Sequence, residues 1–133
     1  MTTRLAVDPS AFLRLAESRR QPGPHPLVSV AALRSRAMSA LYRRVAAGEA
    51  YDVDVRATLE RITTIKVRLL GDRVSRGNAW RLATELGLPD TEDAEILAVA
   101  RLQADALVSL DPHLLALADG VVPVAPFEAL LSD

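Results

Sequence analysis

No cysteine occurs among the 133 residues. Disulfide staples and thiolate metal sites are therefore excluded, and a reducing compartment, the cytoplasm, is the simplest home. Histidine is nearly as scarce. His25 and His113 alone cannot build an imidazole-rich metal site, which leaves the oxygens of Asp and Glu and a hard, magnesium-like ion. Lysine is reduced to Lys66 among 16 basic residues, and Trp80 is the single tryptophan. Long apolar runs are also missing: none approaches the roughly 18 residues of a membrane span, and Met1-Thr2-Thr3-Arg4 leads into an amphipathic pattern unlike a signal peptide. No membrane partner is expected. The net charge of -1 gives no whole-molecule field of the kind that draws nucleic acid.

What is present is arginine, unevenly spread. Arg14, Arg19, Arg20, Arg34, Arg36, Arg43 and Arg44 crowd the first third, while acids gather after residue 84. Arginine suits bidentate phosphate contacts, although a GC-rich genome produces the same bias. The length suits one domain, residues 1–133, able to bury about two thirds of its unfolded surface.

The apolar patterning alternates strand and helix. A strand is expected over residues 5–8, with Pro9 placed for the first turn of a helix to about Ser18. Gln21-Pro22-Gly23-Pro24-His25-Pro26 must be loop. A second strand over 27–30 precedes a helix over 31–47, marked by Leu33, Ala37, Ala40, Leu41 and Val45 and ended by Gly48. A helix over 53–62 would turn Val55, Leu59 and Ile62 inward. A third strand over 67–70 leads to a helix marked by Val74, Ala79, Leu82, Ala83 and Leu86 and ending at Gly87, with Trp80 expected in the core. Thr91 is a candidate N-cap for a helix to about Gln103. A fourth strand over 106–110, a short helix over 113–118 and a fifth strand over 121–124 complete the pattern. Such alternation predicts a three-layer α/β/α domain around a parallel sheet of four or five strands.

Three aspartates stand at the joints of this pattern. Asp8 and Asp111 close the first and fourth strands, and Asp93 lies in the first turn of a helix, where the helix dipole favours a negative charge. Each alone also suits a cap or a turn starter. If the first and fourth strands are neighbours where strand order reverses, Asp8 and Asp111 converge on one crevice, and Asp93 can point into it. Carboxylates gathered there repel one another unless a cation holds them. A bound Mg²⁺, or Mn²⁺, then activates water for attack on a phosphodiester.

These residues resemble the PIN-domain ribonucleases, in particular the VapC-type toxins of bacterial toxin-antitoxin pairs. The resemblance rests on Val7-Asp8-Pro9-Ser10-Ala11, on Leu70-Gly71-Asp72 through Ala79-Trp80-Arg81-Leu82-Ala83, and on Thr91-Glu92-Asp93-Ala94-Glu95 through Ser109-Leu110-Asp111. It implies a PIN-like fold and a magnesium-dependent endoribonuclease acting on RNA of the tRNA or rRNA class. Asp8, Asp93 and Asp111 would be catalytic and metal-holding, with Ser10 as supporting hydroxyl. It also implies a cognate antitoxin that wraps the helices, and it allows a homodimer.

One departure stands out. The resemblance calls for glutamate in a segment of the form Leu-Arg-Ser-Glu, and Leu33-Arg34-Ser35-Arg36 carries arginine there. Arg36 is expected to pair with Asp8 or Asp93 in the place of the metal, and Glu95 either joins the site or lies on a solvated helix face. Leu110 also stands where the resemblance offers a polar residue, a gap that a backbone contact could fill. Three readings therefore remain open: a ribonuclease toxin, a catalytically impaired PIN-fold protein that binds antitoxin or RNA, and an ordinary α/β interaction domain whose acids are caps.

Overall fold

A computed structural model of the chain describes residues 3–49 and 54–132. Its elements run β1 Leu5–Val7, α1 Pro9–Ser18, β2 Leu27–Val30, α2 Leu33–Ala46, α3 Val55–Thr64, β3 Arg68–Leu70, α4 Arg73–Leu86, α5 Glu92–Gln103, β4 Ala106–Val108 and α6 Pro112–Ala118, with a 3-10 turn at Phe127–Leu130. The strands form one parallel sheet in the order β3-β2-β1-β4.

Successive strand residues face opposite sides, and both sides are covered. Ala6, Val28, Val30 and Leu107 join Leu82, Leu97 and Leu114 from α4, α5 and α6 in one apolar layer. Leu5, Val7, Leu27 and Val108 join Phe12, Leu33, Leu41 and Ile62 from α1, α2 and α3 in the other. This is the expected three-layer α/β/α architecture, and it explains why β1 and β4 read as unbroken apolar runs rather than alternating ones. No helix is long and apolar enough to cross a membrane among the described residues.

Several local expectations are corrected. The segment 121–124 is not a strand: one parallel bridge joins Val124 to Leu107, framed by Leu107 N–H donating to Pro123 O and Ala125 N–H donating to Leu107 O, both 2.9 Å. Pro123 has no N–H with which to extend a ladder. The helix start expected at Val53 lies outside the described residues. Asp54 caps α3, accepting from Ala57 N–H at 3.1 Å, and the helix buries Thr58 and Ile62 while Leu59 is exposed. A hydroxyl took the place that apolar spacing assigns to leucine. Thr91 is the N-cap of α5 without a side-chain cap bond. Its hydroxyl lies 3.4 Å from Glu95 Oε2, and Asp90 accepts from Glu92 N–H instead. Trp80 is 72% exposed. α4 buries Ser75, Ala79, Leu82 and Ala83, and Trp80, about 100° further round the helix from Ala79, falls on the outer face. Tyr42 is likewise exposed, and so is Val45.

Candidate active site

The sheet order places β2 and β3 on one side of β1 and β4 on the other, so strand order reverses between β1 and β4. The crevice beyond their carboxyl ends is where such sheets bind ligands. Asp8 follows β1 directly, Asp111 begins α6 just after β4, and Asp93 lies in the first turn of α5. All three line one cleft of about 490 Å³, together with Ser10, Ser35, Arg36, Ser39 and Arg43.

Asp8 is the most constrained of the acids. It is 3% exposed and is the N-cap of α1, its Oδ1 accepting from Ala11 N–H at 2.9 Å. The Ser10 hydroxyl reaches both carboxylate oxygens, at 2.8 and 2.9 Å, and the Ser109 hydroxyl donates to Oδ2 at 2.8 Å. The two serines are themselves held from the β4 side: Leu110 N–H donates to Ser10 Oγ at 2.9 Å and Asp111 N–H to Ser109 Oγ at 3.0 Å. A chain of hydrogen bonds thus ties the end of β1 to the end of β4. Burial pushes the Asp8 carboxyl above its ordinary range; the Ala11, Ser10 and Ser109 donors pull the other way, and the negative charge of Asp111 adds to the rise. A buried carboxylate without a cationic partner is costly.

Asp111 caps α6 through His113 N–H at 2.9 Å. Asp93 Oδ2 stands 3.3 Å from His113 Nδ1. The bland capping roles open to Asp8 and Asp111 are therefore filled, by the same side chains that face the cleft. Among the described residues, however, no three His, Cys, Asp or Glu side chains are gathered as a ready-made metal cage.

Arg36 lines the cleft, but its ion pair is not the one expected. Its Nη2 lies 3.6 Å from Glu95 Oε2, with neither Asp8 nor Asp93 as partner. The reason is positional: Glu95 shares the first turn of α5 with Asp93 but lies about 200° round the helix from it, at the wall of a neighbouring cavity that Arg36 also lines. Glu95 does not line the acid cleft itself.

Sequence reasoning passed over Ser109, whose hydroxyl fixes Asp8. The ring of His113 is exposed, yet it meets Asp93. The only signal for Ser109 was a small hydroxyl at a strand end, two residues before Asp111. At Leu110 the backbone N–H donates to Ser10 Oγ.

No family model matches the chain, and no curated protein matches its sequence. Among solved structures, PAE2754 from Pyrobaculum aerophilum is similar over 96% of this chain and 93% of its own, at 25% identity and a TM-score of 0.65. A PilT N-terminus domain protein, SSO1118 from the archaeon Sulfolobus solfataricus, aligns over 94% of this chain and 87% of its own, at 22% identity and a TM-score of 0.46.

Proposed function

We propose that the chain is a PIN-type ribonuclease that hydrolyses RNA phosphodiester bonds with Mg²⁺, or Mn²⁺, in the cleft at the β1–β4 switch point. The observation that carries this reading is the convergence of Asp8, Asp93 and Asp111, from three separate elements, on the wall of one cleft. The donor chemistry fits the ion. Hard carboxylate oxygens are offered, and Asp8 is buried and lacks a positive partner. Mg²⁺ characteristically takes one or two carboxylates plus waters and substrate phosphate rather than a full protein cage, so the lack of a ready-made group of three is compatible with it. Asp8, Asp93 and Asp111 would hold it. When bound, such an ion lowers the pKa of a water and neutralises charge on the leaving oxygen.

The remaining residues prepare the cleft. Ser10 and Ser109 hold the Asp8 carboxylate in one orientation, as the outer partners of a ligand do. Arg43 and Arg36 supply positive charge beside the acids, where the phosphates of a strand would lie. In the same reading the chain is a cytoplasmic toxin of a toxin-antitoxin pair, silenced by a cognate antitoxin, with tRNA or rRNA as the class of substrate and a homodimer as one form it could take.

A second reading is favoured by one observation. Arg36 puts a cation into the cleft where the resemblance calls for an acid, which disfavours a second cation nearby. The protein would then bind antitoxin or RNA without cutting. Labelled tRNA incubated with Mg²⁺, with Mn²⁺ and with chelator separates the two. Cleavage lost in chelator and in Asp8→Asn is the result expected of the ribonuclease. RNA retained but intact under every metal condition would sink it in favour of the binder.

A further inference from the structure

Beside the acid cleft, between the ends of β2 and β3 and the start of α4, lies a smaller cavity of about 120 Å³. Arg36 lines both spaces and forms the wall between them. Its side chain is only 27% exposed, and its nearest anion, Glu95, stands at 3.6 Å, beyond hydrogen-bond range. Its Nη1 is the only buried side-chain nitrogen or oxygen without a partner among the described residues. A buried donor left unmade is costly, and native structures rarely carry one without a ligand, an ion or a water to explain it.

Arg36 shares this cavity with Arg76, which reaches it from α4, with Ser75 and Gly71, and with the apolar Val30, Leu70 and Val99. Its charged groups are Arg36, Arg76 and Glu95, a net of one positive charge. Glu95 is already engaged with the other nitrogen of Arg36. Guanidinium groups present a planar fork that matches phosphate oxygens.

We propose that this cavity is a phosphate-binding subsite, anchored by Arg36 and Arg76, that takes a phosphodiester group of an RNA strand neighbouring the one in the acid cleft. Arginine at position 36 is then a strand-holding residue. The proposal rests on the ribonuclease reading only in naming RNA as the bearer of the phosphate; the subsite itself stands or falls separately.

The test is a titration of the full chain with inorganic phosphate at constant ionic strength, in metal-free buffer, followed by backbone amide NMR shifts. Saturable shifts are expected at Ala31, Ala32, Gly71 and Ser75. Affinity should fall about tenfold in Arg36→Gln, as for loss of a charged hydrogen bond, and by a smaller factor in Arg76→Gln. A short 2′-O-methyl RNA should displace the phosphate. Shifts that never saturate, or unchanged affinity in Arg36→Gln, would overturn the subsite; if that variant does not fold, unchanged affinity in Arg76→Gln, on an exposed side chain, overturns it equally. Phosphate that the oligonucleotide fails to displace overturns the assignment to a strand. Phosphate binding without RNA hydrolysis would sink the ribonuclease and leave the subsite standing, and hydrolysis without phosphate binding would do the reverse.

Discussion

The segments β1-α1 and β3-α4 are built on one local plan and meet opposite fates. In each, a short apolar strand ends near an aspartate that caps the following helix: Asp8 accepts from Ala11 N–H and Asp72 from Ser75 N–H at 2.8 Å. β1 lies between β2 and β4, whereas β3 is the sheet edge. Asp8 is consequently buried and its carboxyl is pushed up by desolvation. Asp72 is exposed, and the Ser75 N–H holds its carboxyl below the ordinary range. The cap favours the anion in both places, but at the centre burial outweighs it.

The two helices should differ most in what their apolar side chains contribute. Phe12 of α1 is fully buried, and Phe12→Ala should cost about 3–5 kcal/mol in denaturant unfolding. A cost near 1 kcal/mol would mean that the central segment is no better packed than the edge.

Next in size is the tether between β1 and β4. If Asp8 holds a metal, Ser109→Ala should lower Mn²⁺ or Mg²⁺ affinity about 10–100-fold by calorimetry, as loss of an outer-shell partner does. Ser75→Ala, on the equivalent turn at the edge, should leave it unchanged. Equal effects would erase the distinction between the segments.

The caps themselves should titrate in opposite senses, measured with chelator present. The raised Asp8 carboxyl contributes native stability that is fully present below the unfolded pKa, near 3.8, and lost as pH rises through the folded value. Asp8→Asn should therefore gain stability relative to wild type as pH climbs from about 3.8. The lowered Asp72 carboxyl contributes stability that is present above about 3.8 and lost as pH falls through its folded value. Asp72→Asn should accordingly cost most at neutral pH and least in acid. Parallel slopes in the two thermal-melt series would contradict the burial argument.

The smallest effect is expected on the outside of α4. Val74 is exposed, so Val74→Ala should change stability by no more than about 0.5 kcal/mol.

The order of elements was legible because apolar runs and their breakers are local signals: Pro9 at the start of α1, Gly87 in the left-handed conformation at the end of α4, and the wholly apolar strands β1 and β4. Failures came where local rules compete with packing. Leu59 and Trp80 carry apolar side chains on faces that the fold turns outward, and Pro123 silenced a strand that composition alone suggested. At the cleft, Asp8, Asp93 and Asp111 were found by their positions relative to strand and helix ends. Ser109 escaped because a single serine at a strand end carries no pattern. The partner of Arg36 was misjudged because Glu95 and Asp93 lie two residues apart on one helix, and only the direction of each side chain separates them.

Local chemistry, then, decided which segments are strands and helices, where aspartates would cap them, and that any metal held here must sit among oxygens. It could not decide which strand is central. That depends on pairing between segments about a hundred residues apart, as Leu5 with Ala106, and this pairing buried one capping aspartate, left another in water, and set Arg36 between an acid cleft and a cavity whose walls come from five separate elements.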